Sequence, residues 1–247
     1  MKTPVYSRQD FFLIDFMGTL FVVSTPIGNL EDITLRAIKV LGRVNIVLCE
    51  DTRKTGRLLK NLKIPEKGEK PLLISYYEEN ESKRIPEAIK LLKQNQDIAL
   101  VSNSGTPTIS DPGFKLVREC IRQKIKVKSI PGASAALAAL VCSGLPTDKF
   151  LFLGFLPKKP GKRRKLLENI NLIYQNIKPT IIFYESPYRL VVSLKEIKRI
   201  FGNIEIVICR ELTKLYEEVR KEKLEMAISY FEKRKPKGEL TLVFRKN

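Results

Sequence analysis

The feature that most constrains this chain is an alternation. Five short runs rich in aliphatic and β-branched residues, Leu20 to Ser24, Asn45 to Cys49, Leu72 to Tyr76, Ile98 to Ser102 and Val127 to Ile130, are separated by stretches at 34–41, 55–62, 85–94 and 114–123 whose apolar residues fall three and four apart. Unbroken apolar runs of that length read as strands buried on both faces, and the wider spacing reads as amphipathic helix. Strands that run parallel need a crossover between them, usually a helix. The first half is therefore expected to be an α/β domain with a mostly parallel sheet.

The run at 131–140, PGASAALAAL, reads as a turn feeding a small-residue helix, and Gly144-Leu145-Pro146 stops it. The domain boundary is expected there, giving an N-terminal α/β domain at 18–146 and a C-terminal α/β domain at 147–247. Met17-Gly18 makes a natural start for the first strand, so residues 1–17 are read as an N-terminal extension. In the second half Phe150 to Phe155, Thr180 to Tyr184, Ile204 to Cys209 and Leu240 to Phe244 read as strands. Helices are expected near 165–175 and 224–233, with another opening at Pro187.

Composition removes whole chemistries. Among 247 residues there is no histidine, so a Ser-His-Asp or Cys-His nucleophile, a His-ligated metal and an imidazole base are all excluded. The four cysteines form no CxxC pair, which argues for reduced thiols in a cytoplasmic protein and against a zinc knuckle; no metal is expected. The run from Phe11 to Val23 is broken by Asp15, so neither a membrane span nor a signal peptide is read there. With 45 Lys+Arg against 27 Asp+Glu the formal charge is +18. Such a surplus suits an anionic partner such as a phosphate backbone, and equally a polycarboxylate or a membrane surface. Residues 1–146 hold 22 basic and 15 acidic residues, and 147–247 hold 23 and 12, so the smaller half is the more basic.

Several loops carry candidate chemistry. The first strand ends in Ser24-Thr25-Pro26-Ile27-Gly28-Asn29, with one glycine and no GxGxxG, and no GxxxxGK[ST] occurs anywhere, so neither a Rossmann fingerprint nor a P-loop is present. The loop at 102–113, SNSGTPTISDPG, lies at a strand's carboxyl end, where α/β proteins bind ligands. It reads either as a binding loop or as a rigid connector with Ser110 or Asp111 capping the next helix. The segment Glu50-Asp51-Thr52-Arg53 reads as a helix N-cap at Asp51 or Thr52, or as paired carboxylates supplying a base. Lys158, Lys159, Lys162, Arg163, Arg164 and Lys165 put six cations into the nine residues at 157–165, with no acid and no aromatic. That run reads as a flexible basic finger that follows a phosphate backbone, or as a solvated face.

Taken in order, STPIGNLEDIT (24–34), EDTRKTGRLL (50–59), SGTPTISDPG (104–113), IPGASA (130–135), GFLPKKPGKR (154–163), FYESPYRL (183–190), RELTKLYEE (210–218) and KGELTLVF (237–244) resemble the tetrapyrrole methylase superfamily. Within it the likeness is to the ribosomal RNA small subunit methyltransferase I family. The resemblance implies a two-domain fold with S-adenosylmethionine in a cleft between the domains, and a homodimer. It also implies methyl transfer to the ribose 2′-hydroxyl of a cytidine in the decoding region of 16S ribosomal RNA, within the small ribosomal subunit. Carried over position by position, it assigns the cofactor to Ile27, Ser104, Gly105, Thr106, Ile109, Ser134, Ala135, Glu185, Leu212, Gly238 and Glu239. Glu50, Asp51 and Arg53 are the catalytic candidates, two carboxylates for the leaving proton and a cation for a phosphate. The basic run at 158–165 is the RNA-binding candidate. The sequence departs from the family in Asn103-Ser104, where Asp-Ala is common, and in lacking histidine near Ser75–Asn80, Lys54 and Tyr188. Two rival functions stay open: a small-molecule methyltransferase acting on a precorrin-like polycarboxylate, and a non-catalytic ribosome-associated RNA-binding module.

Overall fold

Each of the first five strands is only four residues long: β1 (Leu20–Val23), β2 (Ile46–Cys49), β3 (Leu72–Ser75), β4 (Ile98–Val101) and β5 (Val127–Ile130). They come from a computed structural model that describes residues 17–65 and 68–246. The proposed N-terminal extension therefore falls, but for Met17, outside the described residues. All neighbouring strands pair parallel, in the order β3-β2-β4-β1-β5. Strands β2 and β4 are buried along their whole length, which is why they read as unbroken apolar runs.

Helices α1 (Leu35–Leu41) and α2 (Thr52–Asn61) pack on one face, where Ala37, Val40, Leu41 and Leu59 meet Val23, Val47 and Val101. Helices α3 (Glu81–Lys93) and α4 (Phe114–Arg122) pack on the other, where Ala88, Leu92, Leu116 and Cys120 meet Leu20, Leu48 and Leu100. The connections leaving β2 and β4 thus depart over opposite faces. Between such strands the loops splay apart at the carboxyl edge, the usual position for a ligand in an open α/β sheet.

The second sheet is mixed. Its strands are β6 (Phe150–Phe155), β7 (Thr180–Glu185), β8 (Glu205–Arg210), β9 (Glu218–Lys223) and β10 (Leu240–Phe244), in the order β6-β7-β10-β8-β9. Strand β10 runs antiparallel to both β7 and β8, and β6 runs parallel to β7. Helices α5 (Ala135–Cys142), α6 (Pro160–Ile173), α7 (Leu190–Phe201) and α8 (Leu224–Lys233) belong to this layer.

Two readings shift here. The chain divides between Ala133 and Ser134, ahead of the expected break at 146/147, because the small-residue helix α5 packs on β7 and β10. The basic segment is not a flexible loop: Pro160 opens α6 as its first-turn residue, where a missing N–H is harmless, and Lys162 to Lys165 are helical. Strand β9 was not foreseen, because EVRKEK has no apolar run. It forms by solvated alternation, Arg220 joining Glu222 at 3.0 Å while its guanidinium lies 3.8 Å over the Tyr230 ring. Among the described residues no helix is long and apolar enough to cross a membrane.

Candidate functional site

At the carboxyl edge of the parallel sheet three loops are tied together by short, neutral polar contacts. Thr25 and Gly105 exchange backbone hydrogen bonds, Thr25 N–H to Gly105 O at 2.9 Å and Gly105 N–H to Thr25 O at 3.0 Å. The Ser24 and Thr106 hydroxyls lie 3.0 Å apart, and the Thr106 hydroxyl donates to Ala133 O at 3.1 Å. The ends of β1, β4 and β5 are thereby fixed to one another. Gly105 adopts φ +76°, and a Cβ there would lie 3.4 Å from Ile27 Cγ2 and 3.8 Å from Ala133 O. Both distances are ordinary packing contacts, so it is the positive φ that makes glycine the residue for that position.

Of the expected cofactor residues, Ile27, Ser104, Gly105 and Thr106 therefore meet in one place. Ile109 sits further along the same loop, 42% exposed, its N–H donating to Thr106 O at 3.3 Å. On either side of it Thr108 and Ser110 hold φ values of +73° and +63°. Left-handed backbone costs a non-glycine residue about 1–2 kcal/mol, so something must hold the loop. Part of the answer is Glu81, a 5%-exposed carboxylate that accepts the Tyr76 hydroxyl at 2.9 Å and the Gly113 N–H at 3.0 Å, and pairs with Lys115 at 2.9 Å. Burial opposes its ionisation, but these partners outweigh burial and hold its pKa below the ordinary carboxylate value. Neither Ser110 nor Asp111 caps α4; the N-cap is Gly113.

Glu50 lies at the end of β2, and its Oε1 accepts the Asn103 N–H at 2.9 Å across the splayed β2/β4 pair. Asp51 is the N-cap of α2, accepting the Arg53 and Lys54 N–H groups at 2.9 and 3.3 Å. The Arg53 amide lowers its pKa, with the Arg53 guanidinium adding to the effect. A carboxylate so occupied is a structural cap and a weak base, so of the two sequence readings of Asp51 the capping one describes its contacts. Arg53 projects outward, with 87% of its side chain exposed.

In the second unit, register places several expected residues on one sheet edge. Leu240 pairs with both Glu185 and Arg210, so Glu185, Glu211 and Glu239 mark the same end of β7, β8 and β10. Glu211 Oε1 accepts the Glu239 N–H at 2.8 Å and the Lys214 ammonium at 2.9 Å, while Lys214 also reaches Glu239 at 2.8 Å. Gly238 has φ +90°, and a Cβ on it would lie 2.4 Å from the Glu211 carboxyl. Leu212 is buried within that turn, Glu239 is exposed, and Ser134 and Ala135 begin α5.

Two expected ligand contacts are instead consumed inside the protein. The Glu185 side chain is fully buried, pairs with Arg189 at 2.6 Å, and accepts the Ser186 N–H and the Ser193 hydroxyl. It has no surface for a cofactor. Arg163 is 4% exposed at its side chain and ion-paired to Glu196, so it is not an RNA-facing cation. Lys158, Lys159, Lys162, Arg164 and Lys165 are exposed, with Arg164 paired to Glu168 at 2.8 Å. The sequence reading missed Glu81 as an anchor, because its partners come from residues 76, 113 and 115 and leave no local spacing to read. Among the described residues no cluster of metal-binding side chains occurs.

The cradle at Ile27 and Ser104-Gly105-Thr106 joins hydroxyl and backbone polar groups to an aliphatic side chain beside a glycine in left-handed conformation. That combination fits a donor with an amino-acid end and an apolar ring.

The family described as Tetrapyrrole (Corrin/Porphyrin) Methylases matches residues 19–227. A protein of Thermotoga maritima named "Ribosomal RNA small subunit methyltransferase I" is 49% identical over 229 residues, 92% of this chain and 98% of that protein. Its namesake in Halalkalibacterium halodurans is 44% identical over 247 residues, 100% of this chain and 81% of that one. Among solved structures, a uroporphyrin-III C-methyltransferase from Thermus thermophilus complexed with S-adenosylhomocysteine shares the fold. Its TM-score is 0.61 at 18% identity, covering 92% of this chain and 97% of that one. The two α/β units, the glycine-dependent edge loops and these likenesses agree: the chain belongs to the tetrapyrrole methylases and, within them, to the ribosomal RNA small subunit methyltransferase I family, whose methyl donor is S-adenosylmethionine.

Proposed function

We propose that this protein methylates the ribose 2′-hydroxyl of a cytidine in the decoding region of 16S ribosomal RNA, acting on the small ribosomal subunit as a cytoplasmic homodimer. The observation that carries the reading is the 49% identity, over 98% of its length, with a relative named for the small-subunit RNA. The +18 formal charge and the exposed cations at 158–165 support an RNA substrate.

S-adenosylmethionine, when bound, supplies an electrophilic methyl group. The Ser104-Gly105-Thr106 turn with Ile27 and Ile109 would hold it. Transfer to a sugar oxygen releases the hydroxyl proton, and Glu50 accepts it. One Glu50 oxygen is oriented by the Asn103 amide, which leaves the other to act as base. Asp51 fixes the start of α2, and Arg53, outermost, orients a substrate phosphate.

Incubation with labelled donor and unmodified small subunits, followed by digestion and mass spectrometry, tests the reading. The expected product is 2′-O-methylcytidine; a methyl group on a base, or none, overturns it. In Glu50→Gln, single-turnover methylation should fall by about 10²–10⁴-fold with donor affinity intact. An unchanged rate removes Glu50 from the mechanism.

A second reading, methylation of an anionic tetrapyrrole, draws support from the shared fold of the Thermus enzyme. RNA binding weakens steeply with salt when several phosphates are neutralised, so a flat salt dependence would favour the small molecule.

A further inference from the structure

Three successive backbone carbonyls lead into the basic segment, and two largely buried arginines hold all three. Arg189, on the turn before α7, donates to Leu156 O at 2.9 Å. Arg163, on α6, donates to Pro157 O and Lys158 O, both at 3.3 Å. Each guanidinium is paired with a carboxylate, Arg189 with the fully buried Glu185 and Arg163 with Glu196, a 15%-exposed residue of α7 that also meets Arg199 at 3.8 Å. Glu185 is fixed in turn by the Ser186 amide and the Ser193 hydroxyl.

Guanidinium is the group for this task, since its planar fork serves a carboxylate and a carbonyl at once, which an ammonium on a flexible stem does not reproduce. Rotating residues 156–158 would strip carbonyl partners from two guanidiniums already withdrawn from water, and a buried charge left short of partners is strongly unfavourable. The exposed cations at 158, 159, 162, 164 and 165 therefore project from a clamped stem and a helical first turn.

We propose that Arg163 and Arg189, with Glu196 and Glu185, are positioning residues for RNA. They fix the direction in which Lys158, Lys159, Lys162 and Lys165 meet successive phosphates. The inference rests on the reading of this segment as an RNA contact. Its physical content is preorganisation: holding long cationic side chains on a rigid base removes ordering that RNA binding would otherwise have to supply.

The test measures RNA affinity, and KM against kcat on small subunits, across a salt series. The slope of log affinity against log salt counts neutralised phosphates, at about 0.9 per contact on a duplex and 0.7 on a single strand. Preorganisation moves the intercept instead. Arg163→Lys keeps the net charge and should weaken RNA binding by roughly tenfold, raising KM with kcat and donor affinity held and the salt slope unchanged. Glu196→Gln and Arg189→Lys should act in the same direction, and they carry the test if Arg163→Lys does not fold. Combined Lys158→Gln, Lys159→Gln, Lys162→Gln and Lys165→Gln should flatten the slope. If this lysine variant matches the wild type, the segment is not an RNA contact and the underlying reading fails. If it flattens the slope while the folded clamp variants bind RNA as the wild type does, the clamp is only structural and the inference is overturned. A smaller slope in Arg163→Lys also overturns it, since Arg163 would then be meeting phosphate itself.

Discussion

The two sheets secure their edge loops by different physics. At the parallel sheet the ends of β1, β4 and β5 are joined by hydroxyls and backbone amides, through Ser24, Thr25, Gly105, Thr106 and Ala133. At the mixed sheet the loops are pinned by charge: Glu185 with Arg189, Arg163 with Glu196, and Glu211 and Glu239 with Lys214. Neutral contacts are individually modest and leave polar groups that a ligand can share. Buried ion pairs such as Glu185–Arg189 and Arg163–Glu196 are unforgiving, since losing one partner strands the other. The edge proposed to hold the donor is thus built from adaptable contacts, and the edge beside the basic helix from rigid ones.

The comparison can be broken most forcefully at Glu185. Glu185→Ala leaves Arg189 and Ser193 without their buried acceptor and should destabilise the protein by about 3–5 kcal/mol, read from urea denaturation midpoints. A loss below about 1 kcal/mol would mean that charge does not pin this edge.

Glu81 sharpens the contrast, because it is a charged anchor beneath the neutral cradle. Glu81→Gln should lose about 2 kcal/mol at neutral pH. The sign of its pH dependence follows from its lowered pKa. The stabilisation is complete above the unfolded-state pKa and disappears as pH falls through the lower folded value. Urea midpoints of wild type and variant should therefore converge on acidification, and parallel curves would exclude ionised Glu81 as the anchor.

The smallest expected effect is at the cradle. Gly105→Ala places a Cβ at φ +76° and should cost about 1–2 kcal/mol, seen as a lowered melting temperature, together with weaker donor binding by calorimetry. Unchanged donor affinity would move the donor away from this loop.

Much of this architecture was legible from residue order. The strands of the parallel sheet appear within one residue of their expected ends, most plainly at β2 and β4, because a strand buried on both faces must be apolar throughout. Strand β9 was not legible, because a solvated edge strand shows only charge alternation. The division at Ala133/Ser134 was missed because α5 is apolar on all sides, and nothing in AALAALVC says which sheet it covers. At the candidate site, residues 104–106 lie together with Ile27, whereas Glu185, taken over from the resemblance, and Arg163, taken from the basic run, face buried partners. A carboxylate or guanidinium in a motif looks alike whether it faces a ligand or a buried partner, and only the fold distinguishes the two.

Strand β10 is fully buried and lies between β7 and β8, hydrogen-bonded to both. The parallel sheet has all its strands once residue 130 has been synthesised, but the mixed sheet lacks its middle member until residues 240–244 emerge. During translation, at roughly 5–20 residues per second, β7 and β8 therefore wait with open flanks while the rest of the chain is made. Unpaired flanks of that kind recruit other chains, so nascent copies stalled shortly before residue 240 should be the form of this protein that most needs a chaperone.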